Sequence, residues 1–263
     1  MIFGYRPDPP SAKDRSFSTD LAPKLQAVNQ GDVDLRKYCT DSHQHELGAC
    51  AGNSTADSVE ILNAIEGRPP VQLSRLFVYT LARNFMDLDR DGKGDIDQDD
   101  GTFIRLCFEV LSKFGICRED VPAGQGGWPY DVSKVSTLPD LRAMRAATGH
   151  RIHSYYRIRE TGAERISKMV EALRSNHPIV FGTQIDQAFQ DLKDFMSWSR
   201  KGEAKGGHAM VVVGYLANQG FIVKNSWGKK WGEDGFCLMK LDVFFSPDTQ
   251  DLWVPTRGTD FRS

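Results

Sequence analysis

The chain has 263 residues, a formal net charge of −2, 40% hydrophobic residues and 26% charged residues. That composition supports a soluble globular protein with room for one large domain or two modest lobes. The near-neutral balance offers no basic footprint for nucleic acid, and no apolar run reaches the ~18 residues of a membrane span, so neither is expected as a partner.

Residues 1–32 read as a polar, proline-bearing arm with little periodicity. The first ten residues lack the apolar stretch of a signal peptide. The expected localisation is cytoplasmic, or exported without a recognisable signal peptide. The five cysteines, at 39, 50, 107, 117 and 237, are odd in number and sparse. That argues against a disulfide framework and for a reducing compartment.

Residues 33–135 read as mainly helical. Small polar residues follow Cys50, then Val59, Ile61, Leu62 and Ile65 recur at helical spacing until Gly67 closes the segment. Cys50 is thereby expected at the positive end of a helix dipole, which favours a thiolate. Gly48 and Ala49 leave space for a substrate beside the sulfur. Gln44 is placed to donate a side-chain N–H to a developing oxyanion, with the Cys50 amide as second donor; such a donor is typically worth roughly 3–4 kcal/mol of barrier. A second helix follows Ser74 as N-cap, and a third runs from Phe103 to a stop at Gly115.

Between those two helices lies an acidic segment at 87–100 that resembles an EF-hand calcium loop. Two registers compete, one starting at Asp87 and one at Asp89. The second fits better, with Asp89, Asp91, Asp95, Asp97 and Asp100 as ligands, Gly94 at the sharp turn and Ile96 at the usual apolar position. Its fault is Lys93 where an oxygen ligand is expected. The competing reading is a solvated acidic loop with Lys93 neutralising part of its charge.

Residues 136–263 read as β-rich, with helices near 138–148 and 163–174 and strands at 151–156 and 178–182. Three further strands carry His208, Asn225 and Phe236. His208 opens an apolar β-branched run, which sets an imidazole at a rigid strand edge. Asn225 ends the next strand, where an amide accepts the imidazole N–H and fixes its tautomer. Trp227 is expected to cover that hydrogen bond from water. A thiol, a base and an orienter in this order are the parts of a nucleophilic acyl-transfer site.

The ordered set closely resembles the papain-like (C1 family) cysteine peptidases. The likeness rests on Gln44, Gly48-Ala49-Cys50, the His208-Ala209 strand, and Asn225-Ser226-Trp227-Gly228 followed by Trp231 to Phe236. Val33-Asp34-Leu35-Arg36 near the mature start and Phe114-Gly115-Ile116 leading to Trp128-Pro129-Tyr130 extend it over roughly residues 33 to 241. Two positions depart from the family signature. Leu47 stands where a cysteine is usual, and Ala51 where an aromatic residue follows the nucleophile, marking a bacterial-type variant without the usual disulfide there. The separation of Cys50 from His208 exceeds the usual ~130–150 residues, which requires inserted segments.

The resemblance implies an α+β papain-like two-lobe fold, a helical lobe and an antiparallel β-barrel-like lobe with the cleft between them. It implies a cysteine endopeptidase that needs no cofactor, takes a peptide or protein substrate and works as a monomer. Gly101, Gly207 and Trp227 fall on the substrate side, Gly101 where glycine lets the substrate backbone approach. Two alternatives stay open: an acyl transferase or ligase on the same fold, and a catalytically silent peptide-binding module. The arm at 1–32 is too short for a large helical pro-domain. It is expected to lie along or near the cleft and restrain access; the alternatives are a strap on the outside of the β lobe and a disordered tail.

Overall fold

The computed structural model describes residues 3–88 and 91–257. Its centre is helix α1 (Cys50–Ile65), buried along nearly its whole length from Cys50 to Asn63. Small residues at its start let α2 (Arg75–Asn84) and α3 (Ile104–Lys113) pack closely on it. Ser74 caps α2 as expected, its hydroxyl accepting from the Phe77 amide at 3.1 Å. The opposite side of α1 rests on the sheet of the second lobe.

That sheet has eight strands. In spatial order it runs β4 (Ser154–Ile158), β10 (Gln250–Thr256), β5 (Ile179–Ile185), β7 (Gly206–Leu216), β8 (Gly220–Lys224), β9 (Phe236–Met239) and β6 (Ser197–Trp198). Short β2 (Val33–Asp34) joins the far end of β7. All pairings are antiparallel except β6 with β9. Helices α4 (Leu141–Ala147), α5 (Gly162–Arg174), α6 (Gln187–Gln190) and α7 (Leu241–Phe245) complete the chain. The fold is α+β, with a helical lobe packed on a mostly antiparallel sheet. Strand β10, unread in the sequence, lies in the interior of the sheet.

The lobes are tied by a buried charge cluster. Asp57 on α1 accepts from Lys224 Nζ at the end of β8, from Arg75 Nη2 at 2.7 Å and from Ser42 Oγ at 2.9 Å. Glu60 accepts from the same guanidinium at 3.0 Å. The helix that begins at Cys50 is thus bonded to the strand that ends beside Asn225.

The arm runs in two parts, one matching the alternative of an outer strap and one lying between the lobes. Its outer part is a strap: Phe17 and Leu21 are fully buried, and the Arg157 amide donates to Arg15 O at 2.8 Å on the β4 edge. Its first residues cross between the lobes, where β1 (Tyr5–Arg6) pairs in parallel with β3 (Thr102–Phe103).

Candidate active site

Cys50 opens α1, and Ala49 before it supplies no side-chain cap, so the first helical amides retain their positive field. The sulfur is fully buried, with the backbone amides of Ala209 and Gly4 facing it. Burial pushes its thiol up to about 11.

His208 is the third residue of β7, paired with Thr183 of β5. Its Nε2 lies 2.7 Å from Asn225 Oδ1. The same oxygen accepts from the Ser226 amide at 2.7 Å, which fixes the Asn225 side chain with its oxygen toward the imidazole. Nε2 must then carry the proton, and Nδ1 keeps the lone pair. Nδ1 is buried and has no hydrogen-bond partner among the described residues. Burial, opposed by the Asn225 bond, pushes the imidazole down to about 4. In this arm-docked arrangement the Cys50 thiol and the His208 imidazole are therefore both held neutral.

Trp227 lies over the imidazole with ring centroids 4.7 Å apart, and Phe189 and Trp231 meet Trp227 edge-on. Trp227 is thus placed as a lid over the His208–Asn225 bond. Phe189, which no sequence signal singled out, closes the same aromatic cage from α6.

Gln44, six residues before Cys50, is fully buried. Its Oε1 accepts from Ser226 Oγ at 2.7 Å and its Nε2 donates to Leu47 O at 2.8 Å. Ser226 thus orients both amides, Gln44 by its hydroxyl and Asn225 by its N–H. Asp99 is a second feature missed by sequence reasoning. Its carboxylate accepts the Gly48 amide, at 2.9 Å to Oδ2, and the Tyr79 hydroxyl, which pins the turn that delivers Cys50.

The arm occupies the cleft at this point. Gly4 O accepts from the Thr102 amide at 2.9 Å. Gly4 lies so close to Gly48 and Gly101 that a side-chain carbon on Gly4 or Gly101 would overlap backbone atoms across the contact. Gly101 also adopts φ +78°, open to glycine at little cost. A carbon on Gly207 would lie 2.8 Å from Tyr5 O. Two of the three residues expected beside substrate, Gly101 and Gly207, are therefore covered by the chain's own N-terminus.

The acidic loop shows no assembled calcium site among the described residues. Asp89 lies outside the described residues. Among the described residues no group of three or more acidic, histidine or cysteine side chains is placed to hold a metal ion. The carboxylates turn to local main chain instead: Asp91 accepts from the Lys93 amide at 2.7 Å and Asp95 from the Leu88 amide at 3.0 Å, while Asp100 faces Arg6 at 3.8 Å. Asp97 lines the same surface depression as Asp91, Asp95 and Asp100. Gly92, not Gly94, takes the positive φ of a sharp turn, and Gly94 is a glycine because it abuts the backbone of Asn84.

A family model described as papain family cysteine protease matches residues 30–244. An uncharacterized peptidase C1-like protein, L477, of Acanthamoeba polyphaga mimivirus is 30% identical over 96% of this chain and 82% of its own length. A viral cathepsin of Choristoneura fumiferana nuclear polyhedrosis virus is 27% identical over 80% of this chain, which spans 58% of that protein. Among solved structures, xylellain, a cysteine protease from Xylella fastidiosa, superposes with a TM-score of 0.77 at 25% identity, covering 97% of this chain and 96% of that one.

Proposed function

From the premise that this chain belongs to the papain family of cysteine proteases, we propose that it cleaves peptide bonds through a Cys50 thioester and is held latent by residues 3–8. The enzyme is a cysteine-type endopeptidase acting on peptide or protein substrates.

The observation that carries the site assignment is the double acceptor at Asn225 Oδ1, which leaves His208 Nδ1 as the imidazole's proton acceptor. With the arm displaced, water reaches the cleft and the burial that holds thiol and imidazole neutral relaxes. The thiol then falls and the imidazole rises, so the proton passes from Sγ to Nδ1. The thiolate attacks the substrate carbonyl carbon. The oxyanion that forms is held by the Cys50 amide and the Gln44 side-chain N–H. His208 returns its proton to the leaving amine, and the C–N bond breaks. It next takes a proton from water, whose oxygen attacks the thioester and frees the acid and the thiol. Each step runs on side chains and water, with no cofactor. A reducing compartment keeps the sulfur free, and all five cysteines are unpaired.

Cys50→Ala in the full chain should lose turnover on an unfolded protein substrate while melting like the parent, since alanine suits a helix start. Turnover at the parent's rate would refute the assignment. Gln44→Ala should lower kcat by about 10²–10³-fold, the scale of a lost oxyanion donor. A change confined to KM would instead make Gln44 a ground-state contact.

A further inference from the structure

Tyr5 is the arm residue next to Gly4, and its side chain leaves the cleft for a slot in the β lobe. The slot is cut for a flat ring. Gly182 sits in the middle of the apolar strand β5, where glycine weakens a strand and marks a close approach. A side-chain carbon there would overlap the Tyr5 ring. Gly207 on β7 forms the adjoining wall, its position for such a carbon 3.0 Å from Tyr5 Cδ1. At the end of the slot the Tyr5 hydroxyl donates to Asp251 Oδ2 at 2.6 Å.

Asp251 is built into this place. The register of β10 shifts between Gln250 and Trp253, and Asp251 adopts φ +55°, a conformation that aspartate tolerates better than most residues. The carboxylate is buried. Its Oδ1 is taken by Arg157 of β4. Its Oδ2 accepts from two donors, Tyr5 Oη and the Asp8 amide at 2.7 Å, and both belong to the arm. When the arm leaves, Oδ2 loses both partners inside a pocket beside the nucleophile. A buried acceptor without a donor is costly, so whatever fills the pocket is selected for a donor at its tip. Arg157 already balances the carboxylate, so a neutral donor fits better than a second guanidinium.

We propose that Asp251, at the end of the slot now plugged by Tyr5, makes that slot select substrate tyrosine. This rests on the peptidase reading and adds the substrate class to it.

The test uses the full chain carrying Tyr5→Ala, which removes the plug, and peptides matched except for one residue scanned as Tyr, Phe, Leu or Arg. At one position tyrosine should exceed phenylalanine in kcat/KM by about 10–100-fold, the range of a hydrogen bond to a charged group. Adding Asp251→Asn, which keeps the shape and the backbone conformation, should bring the two within a few-fold of each other. Gly182→Ala should depress cleavage of aromatic peptides and spare those with alanine there; it serves if the Asp251 variant fails to fold. Protection of Cys50 from iodoacetamide by the same peptides reads the selectivity without turnover. Equal use of Tyr, Phe and Leu, or a preference for Arg, overturns the pocket assignment while leaving the peptidase intact. Tyr-selective protection without any hydrolysis would do the reverse.

Discussion

Tyr5→Ala should raise the activity of the full chain by about two orders of magnitude. Truncating a buried aromatic side chain costs about 3–5 kcal/mol, and each 1.4 kcal/mol is tenfold in an equilibrium. Here the loss falls on the docked arm, since the ring packs on Gly182 and its hydroxyl ends on Asp251. The outer strap keeps its own anchors in Phe17 and Leu21, so the variant stays folded with a free inner segment. The gain stops growing once most molecules are open. Unchanged activity with a lower melting temperature would show that the inner segment braces the lobes without restraining the site.

The same latch carries a pH dependence of known sign. Burial and the neighbouring Asp251 charge push the Asp8 carboxyl up to about 7 when the arm is docked. Free of the cleft, it titrates near the ordinary value of about 3.9. Docking therefore takes up a proton between those values, and the arm binds more tightly as pH falls from about 7 toward 4. Its hold is weakest above neutral pH, where Asp8 is charged in both states.

The second large effect is on stability. Asp57→Ala leaves the ammonium of Lys224 and the guanidinium of Arg75 buried without their shared carboxylate. Breaking a buried pair from one side costs about 3–5 kcal/mol, which in a chain of this size lowers the melting temperature by on the order of 10 °C. Asp34→Ala is the control. It removes an exposed pair with Arg36, of a kind worth at most about 1 kcal/mol. Equal shifts for the two variants would mean that the Asp57 cluster is solvated and does not tie α1 to β8.

The local setting of the residues proposed for catalysis was legible because it depends on near neighbours in the chain. Cys50 begins a helix, His208 is the third residue of a strand and Asn225 directly follows the end of another, and each placement follows from a few neighbouring residues. What escaped lies in long-range contacts. Tyr5 and Asp251 stand at opposite ends of the chain, and no periodicity links them. Asp99 looked like one more acid in a charged loop, yet it holds the Gly48 amide, two residues before Cys50. Strand β10 was hidden by its sequence, Gln-Asp-Leu-Trp-Val-Pro-Thr. Proline is rare inside a sheet; Pro255 fits because the pairing with β5 extends only from Gln250 to Trp253. In the acidic loop, composition suggested a metal site, but spelling alone did not say which glycine turns or where each carboxylate points.

The rate of Cys50 alkylation by iodoacetamide, followed from pH 5 to 10 with the labelled residue identified by mass spectrometry, tests the account most directly. In the parent the thiol is held near 11 by burial. Its labelling should be slow at pH 6 and climb about tenfold per pH unit as thiolate forms. In Tyr5→Ala labelling should be fast already at pH 6 and nearly flat to neutral pH, because the thiolate then pairs with the His208 imidazolium, and adding His208→Ala should restore the climb. Superimposable profiles for parent and Tyr5→Ala, or a flat profile that survives His208→Ala, would contradict a Cys50–His208 pair kept latent by the arm.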